Sequence, residues 1–295
     1  MAYTNLVINI PAELRDVLRF LEVRLVYDKK ARRYDWHLVV ENGKQPKDPS
    51  GNNVVSVDLG EVHPAVVGDE QEATIVTCRA RRHAAQGHRE RLAHLTRAIS
   101  QKVSGSRRHK RLARAKTRLK AKHDRVMRDI EHKVSRAVVE VALERKADTL
   151  AIGDVRDAAD KVDLGKRANQ KVSGWDHGKV SQYIEYKAQA EGMKTERVEE
   201  RYSSQTCPNY HHRHKPKGRI YRCPPCRFQS HRDVVGQINI LSRYKHGEVG
   251  KIAAPPIIKH RIPHNLRVMR RRRDTGLLLS RSSSSWPPSL RSCAA

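Results

Sequence analysis

Aromatic residues and long apolar runs are both scarce in this 295-residue chain. Aromatic residues make up 5% of the sequence and hydrophobic residues 38%, so a folded core is possible but small. The length suits one large domain or two modest ones. No apolar run approaches the ~18 residues that a membrane-spanning helix needs. Residues 1–18 also lack the basic and apolar regions of a signal peptide, so the sequence predicts a cytoplasmic protein without a membrane partner.

Cysteine is rare as well, and its distribution argues against a disulfide framework. Of the five cysteines, three lie within residues 207–226, whereas Cys78 and Cys293 stand alone. Clustering of this kind is typical of a metal site in a reduced compartment. The segment CPNYHHRHKPKGRIYRCPPC ends in Cys-x-x-Cys, but Tyr210 stands where a fourth thiolate is expected. Zinc takes four nitrogen or sulfur ligands, so one of three nearby histidines is needed to complete a site: His211, His212 or His214. The alternative is a basic loop that has lost its metal.

Acidic residues are few relative to basic ones. The chain has 60 Lys and Arg against 32 Asp and Glu, a formal net charge of +28. An excess of this size indicates a polyanionic partner, and nucleic acid is the first candidate. Within residues 79–125 there are 17 Lys and Arg and only two acids.

The apolar residues of that basic segment recur every three to four positions, which predicts a long amphipathic helix. A solvated charged face usually mixes signs to form ion pairs, so we favour a helix that contacts phosphates. The candidate contacts are Arg107, Arg108, Lys110, Arg111, Arg114 and Arg118.

The order of the other patterns predicts an α/β fold with a mixed sheet. Residues 22–40 read as two strands around a polar turn, and residues 54–78 contain three short strands. After the basic helix come a strand at 148–155, a helix at 175–192, a strand ending in Glu-Glu, the cysteine segment and a helix at 231–247. Gly192 and Gly247 are the expected stops of the last two helices.

Several acidic residues lie at the ends of these predicted strands and helices. Asp58 ends the first apolar strand of the sheet, Asp154 ends the fourth, Glu199 and Glu200 end the fifth, and Asp233 opens the last helix. Hydrolysis of a phosphodiester with two metal ions needs such carboxylates to converge, and Mg²⁺ prefers carboxylate oxygens. Each acid alone is more often a helix cap or a solvated residue, so the argument depends on their number.

The ordered stretches VSVDLG, TLAIGDV and SSQTCPNYHHRHKPKGRIYRCPPCRFQSHRDVVGQINIL resemble the transposon-encoded TnpB family. These proteins are the insertion-sequence OrfB-type transposases and are related to type V CRISPR effectors. The resemblance runs from about residue 22 to about residue 274. It implies an RNase H-like (RuvC) nuclease domain in residues 51–202 and 231–250, with a long helical insertion. It also implies a zinc-ribbon-like insert at 203–230, a remnant of an N-terminal β region at 1–50, and a basic, largely disordered tail at 251–295.

The resemblance further implies an RNA-guided DNA endonuclease that uses two Mg²⁺ ions. By this likeness Asp58 and Asp233 are the first and third catalytic carboxylates. Gly153 stands where the family commonly has glutamate, and the sequence VEERY points to Glu200 as the replacement, with Glu199 as runner-up. The expected zinc ligands are Cys207, Cys223, Cys226 and His211. Gln205, Arg219 and Arg232 are expected to contact nucleic acid, although Arg232 could equally pair with a carboxylate.

The chain departs from the family pattern in length. Only 57 residues precede Asp58, whereas the family usually has well over a hundred residues before the first catalytic aspartate. Two functions follow as alternatives. The first is a nuclease in the bacterial or archaeal cytoplasm, associated with the nucleoid, whose partners are DNA and a guide RNA derived from the transposon end. The second is an inactive or truncated RNA- or DNA-binding module, either a regulator or a remnant.

Overall fold

The computed structural model describes residues 17–29, 32–49, 51–154 and 177–264. Its first element is an antiparallel hairpin of β1 (Arg19–Asp28) and β2 (Arg33–Glu41), in which Tyr27 lies opposite Tyr34. This agrees with the two strands predicted for residues 22–40. Both faces of the hairpin expose apolar side chains, because no other described element covers it.

A six-stranded mixed sheet forms the centre of the fold, in the order β10-β5-β4-β3-β6-β7. The strands are β3 (Asn53–Asp58), β4 (Ala65–Gly68), β5 (Glu72–Val76), β6 (Ala147–Asp154), β7 (Lys194–Glu199) and β10 (Ile257–Arg261). β3, β4 and β5 form an antiparallel meander, whereas β6 and β7 run parallel to β3 on its other side. The predicted mixed α/β sheet is therefore confirmed.

Four helices accompany the sheet in the described residues: α1 (Arg79–Ser100), α2 (Arg107–Glu144), α3 (His177–Ala190) and α4 (Arg232–His246). The second half of α2 is buried through residues such as Val134, Val138 and Val141, and it packs with α3 in the main core. α4 ends at Gly247, whose positive φ of 76° suits glycine. α4 contacts β3 and β4.

The apolar residues that predicted the long helix, from Leu112 to Val141, lie within α2, but the basic segment also contains a separate helix, α1, that was not predicted. Residues 101–106 separate α1 from α2, and the two helices pack against each other. The break has a local cause, because Gly105 adopts a φ of 78° and Ser106 then caps α2 by accepting a hydrogen bond from the His109 N–H at 3.2 Å.

The expected boundary of the tail at residue 251 also needs correction. Ile257–Arg261 form β10, which pairs in parallel with β5 and extends the sheet. Backbone hydrogen bonds to β5 hold this edge strand, and its side chains are mostly exposed. Exposed side chains show no alternation of apolar and polar residues, so the sequence did not predict the strand. The rest of the predicted tail, residues 265–295, lies outside the described residues.

A small two-stranded sheet of β8 (Ile220–Arg222) and β9 (Gln229–His231) lies between β7 and α4 in sequence. It belongs to the cysteine segment and leads directly into the first turn of α4. None of the helices in the described ranges combines the length and apolar content that crossing a bilayer requires.

Candidate active site and metal centre

Asp58 lies at the end of β3, where α4 crosses the sheet. The crossing is fixed by Gln237, whose Nε2 donates to Ser56 Oγ at 2.7 Å and to the Gly68 carbonyl at 2.8 Å. At Gly236 the helix passes close to Asp58, and a Cβ added there would lie 2.6 Å from Asp58 Oδ2. A side chain at position 236 would therefore displace the Asp58 carboxylate.

Glu200 follows β7 directly and turns its carboxyl group toward β6. A Cβ added to Gly153 would collide with Glu200 Oε1 and would lie 2.8 Å from both Cγ and Cδ of Glu200. The Glu200 side chain thus fills the space into which a side chain at residue 153 would project. Glu200 Oε1 is buried and accepts no hydrogen bond from the described residues.

Glu199, the runner-up, lies in a different environment. Its carboxylate is 64% exposed and pairs with Arg243, with 3.4 Å between Nη1 and Oε2. Asp154, the other acid at this sheet edge, is close enough to Glu200 to raise its pKa. The structure therefore separates the two adjacent glutamates and brings only Glu200 to the Asp58 side.

Asp233 occupies the first turn of α4, beside a cluster of basic and aromatic nitrogens. Its backbone N–H donates to His231 Nδ1 at 3.2 Å, which makes His231 the N-cap of the helix. The Arg219 guanidinium lies 3.4 Å from Asp233 Oδ2. His63, from the loop between β3 and β4, completes a group with His231 and Asp233 whose potential ligand atoms all lie within 4.8 Å of one another.

The site raises the pKa of two carboxyl groups. Burial, and then the charge of Asp233, raise the pKa of Asp58 to about 8, although Arg232 acts in the opposite direction. Burial, followed by the charges of Asp58 and Asp154, raises the pKa of Glu200 well above its ordinary value. The Asp233 charge thus acts on Asp58, and the Asp58 charge acts on Glu200, so Asp58 lies within electrostatic reach of both other predicted carboxylates.

The residues at this end of the sheet have the ligand chemistry of a divalent-cation site. Asp58 interacts electrostatically with Asp233 and with Glu200, although the three carboxylates do not form a group whose oxygens all lie within 4.8 Å of one another. Glu200 Oε1 is buried and has no hydrogen-bond donor among the described residues. Like charges held this close are unfavourable unless a proton or a cation neutralises them. Mg²⁺ prefers such oxygen ligands.

Two histidines near Asp233 were missed by the sequence reasoning. His63 Nδ1 is buried and has no hydrogen-bond partner in the described part of the chain, and the two imidazole rings of His63 and His231 lie 5.2 Å apart. An isolated histidine is a weak signal in a sequence. The position of His231 immediately before the Arg-Asp pair was the available hint.

The cysteine segment brings three sulfurs together. The Sγ atoms of Cys207, Cys223 and Cys226 lie within 4.8 Å of one another, and Cys207 and Cys226 are 3.6 Å apart. Burial is the main reason that the pKa of the Cys207 thiol rises to about 12 in the metal-free state. Thiolates at this spacing suit a zinc ion.

None of the predicted histidines joins this group. His211 Nδ1 lies beside Gly250, where an added Cβ would be 3.0 Å away. The rings of His212 and His214 lie 6.0 Å apart, and the His214 ring lies 4.9 Å from that of Tyr221. The structure therefore brings together the three cysteines that were predicted as zinc ligands and does not bring His211 to the sulfurs.

The predicted nucleic-acid contacts fall into two sets. The first set lies on the N-terminal half of α2, where all six side chains are exposed and make no ion pair with a described residue: Arg107, Arg108, Lys110, Arg111, Arg114 and Arg118. The second set borders the carboxylates. Arg219 contacts Asp233, and Arg232 Nη2 donates to Ser204 Oγ at 3.3 Å. Gln205 ends a short 3₁₀ turn, and its carbonyl accepts hydrogen bonds from the Tyr221 hydroxyl and the His214 N–H.

Comparison with known families supports the TnpB resemblance. Residues 37–159 match the family OrfB_IS605, described as "Probable transposase". Residues 177–240 match the Cas12f1-like TNB domain. The chain is also 29% identical over 134 residues to the TnpB-like protein MJ0751 of Methanocaldococcus jannaschii. That alignment covers 44% of this chain and 47% of the relative.

Two solved structures share the fold at low sequence identity. One is the Cas12f1 protein of a Cas12f1–sgRNA–target DNA complex, with a TM-score of 0.50 and 16% identity over 75% of this chain and 64% of that chain. The other is from a CRISPR-Cas12f ternary complex, with a TM-score of 0.51 and 16% identity over 74% of this chain and 44% of that chain. The chain thus spans about half of its curated relative and less than two thirds of these structures. The resemblance to TnpB-type transposase proteins and Cas12f effectors is confirmed.

Proposed function

We propose that this TnpB-related chain is a RuvC-type DNA endonuclease of an insertion sequence, guided by RNA in its complete form. The observation that carries the proposal is the position of Asp58 at the end of β3, against Gly236 of α4 and within electrostatic reach of both Glu200 and Asp233. The strand order β5-β4-β3-β6-β7 supports the RNase H-like topology that the family resemblance implies. Chemistry on a phosphodiester is argued from this site and not from the fold alone.

In this proposal Asp58, Glu200 and Asp233 hold Mg²⁺. The bound ions supply Lewis-acid stabilisation for the oxygens of the phosphodiester that is cleaved. The pKa of Asp58 is raised to about 8, so its carboxyl group retains a proton at neutral pH when no cation is bound. Asp58 must lose this proton before it can bind a cation, so cation binding and activity rise with pH through the neutral range.

The neighbouring basic residues position the nucleic acid. Arg219 neutralises Asp233 in the free protein and is half exposed, so it can exchange this partner for a phosphate. Arg232 lies near Asp58 and limits the accumulation of negative charge. The exposed arginines and lysines of α2 contact the backbone of DNA or of a guide RNA without reading its sequence.

The cysteine segment acts as a zinc ribbon that orders the approach to the active site. Its strand β9 continues directly into Asp233, because His231 ends β9 and also caps α4. A zinc ion held by Cys207, Cys223 and Cys226 therefore fixes the residues that place the third carboxylate. Structural zinc sites contribute folding free energy in this way.

One observation favours a second function, a binding module that does not cleave. The exposed lysine and arginines of α2 would hold RNA or DNA whether or not the carboxylates cleave it. Such a chain would keep the basic surface of α2 and would regulate its own element by binding RNA or DNA.

The test is expression of the chain together with the DNA that flanks its gene, followed by sequencing of the RNA that co-purifies. The nuclease proposal predicts one enriched RNA that ends in the flank of the element, and Mg²⁺-dependent cleavage of matching DNA. Asp58→Ala should abolish cleavage, and the exposed Asp129→Ala, a matched control, should not. Random cellular RNA without cleavage would leave the binding module as the function.

A further inference from the structure

The two halves of the cysteine segment have the same backbone hydrogen bonds. In the first half the Cys207 N–H donates to the His212 carbonyl at 2.9 Å, and the His211 N–H donates to the Cys207 carbonyl at 3.0 Å. In the second half the Cys223 N–H donates to the Phe228 carbonyl at 2.8 Å, and the Arg227 N–H donates to the Cys223 carbonyl at 2.9 Å. The offsets along the chain, five residues and four, are identical.

The backbone conformation repeats as well. His211 and Arg227 both adopt a φ of 57°, in the left-handed region that residues other than glycine rarely occupy. Cys207 therefore corresponds to Cys223, and His211 corresponds to Arg227. The residue that corresponds to Cys226 is Tyr210.

This correspondence explains why His211 stays away from the sulfurs. Arg227 lies one residue beyond the second thiolate, and its counterpart His211 lies beside Gly250 instead of facing the three cysteines. Tyr210 occupies the backbone position from which a fourth sulfur would reach the metal, and its side chain is 57% exposed. A phenol is not an ordinary zinc ligand, since proteins bind zinc through Cys, His, Asp and Glu.

We infer that the ribbon binds zinc through three thiolates and leaves the fourth coordination position, at Tyr210, to a ligand from solution. That ligand is a water molecule in plain buffer and a small thiol where one is present. Zinc sites with three protein ligands and one exchangeable position are the open class, whereas purely structural sites are closed by four. The inference rests on the zinc site proposed above and adds that the site is open and exchangeable.

The experiment uses the full chain, purified with a phosphine reductant so that no thiol is present, and loaded with Co²⁺ as a spectroscopic substitute for zinc. Adding 2-mercaptoethanol to the wild type should raise the thiolate-to-cobalt charge-transfer absorbance by about one third, because a fourth sulfur joins three. Tyr210→Cys should show this higher absorbance from the start and should not respond to the thiol. Its zinc should also leave to a chelator at least about tenfold more slowly than that of the wild type.

Three controls make the outcome decisive. Tyr210→Phe and His211→Ala should keep the zinc content and the thiol response of the wild type. Loss of zinc in His211→Ala, or in Cys293→Ser, would identify a protein ligand at the fourth position and overturn the open site. A wild type that holds zinc but shows no thiol response would overturn this inference alone. A wild type that holds no zinc would overturn the proposed zinc site and this inference with it.

Discussion

Asp58→Asn should make the metal-free protein more stable at neutral pH. The folded state holds Asp58 with a pKa of about 8, whereas the ordinary value is 3.8, and the cause is burial followed by the charge of Asp233. Because the folded-state pKa is the higher one, the free energy of unfolding is greatest below about pH 4. It falls as the pH rises and becomes level above about pH 8.

The size of the effect follows from the shift. A pH of 7.5 is 3.7 units above the ordinary pKa of Asp58. At 1.36 kcal/mol per unit, the destabilisation caused by keeping Asp58 buried is at most roughly 5 kcal/mol. Relaxation of the site and its coupling to Glu200 reduce this bound, so we expect about 2 kcal/mol. For a domain of this size that corresponds to a rise in Tm of about 4–8 °C.

The assay is thermal unfolding in EDTA at pH 7.5 and at pH 5. Asp129→Asn is the control, since Asp129 is exposed and its ion pair with Lys133 lies on the surface. The gain in Asp58→Asn should shrink at pH 5, and Mg²⁺ should raise the Tm of the wild type but not that of the variant. Equal Tm values for the wild type and Asp58→Asn in EDTA at pH 7.5 would refute the reasoning.

Three further predictions concern the framework and the basic surface. Burial alone would raise the pKa of Asp69, but hydrogen bonds from Arg145, Asn53 and two backbone N–H groups lower it. Asp69→Asn should therefore lower the free energy of unfolding, measured in urea, by about 3 kcal/mol at pH 7 and by less at pH 3. Asn239 donates to the carbonyls of Ser203 and Thr206 and accepts from the Gly250 N–H, so Asn239→Ala should cost about 3 kcal/mol by the same measurement. The last variant replaces four arginines of α2 by glutamine: Arg107, Arg108, Arg111 and Arg114. The slope of log K for RNA binding against log salt concentration should become shallower by about 3, whereas Arg136→Gln should leave it unchanged.

Patterns of period two and runs of apolar residues predicted the strands of the central sheet, because burial fixes which residues face the core. The break between α1 and α2 was not predictable from apolar spacing, since it depends on the backbone conformation at Gly105. β10 also escaped prediction, because its pairing with β5 relies on backbone hydrogen bonds that leave no pattern in exposed side chains.

Among the site residues, the family resemblance and the ends of strands led to Asp58 and Asp233. The choice between Glu199 and Glu200 could not be made from the sequence with certainty, because both follow the same strand. It depends on the space at Gly153 and on Arg243, which draws Glu199 away. His211 was predicted as a ligand from its residue type alone, and only the repeated hydrogen bonds of the two half-segments indicate why its position is unsuitable.

The most direct test of the account is an exchange of the carboxylate between positions 153 and 200. Glu200→Gly should lower the rate of guided, Mg²⁺-dependent DNA cleavage by about 10³-fold, which corresponds to about 4 kcal/mol of lost stabilisation. Adding Gly153→Glu to that variant returns a carboxylate to the same space and should recover at least about tenfold of the rate. Glu199→Gln, the matched neighbour, should cleave like the wild type. Full cleavage by Glu200→Gly would contradict the account, as would a folded double variant no faster than Glu200→Gly.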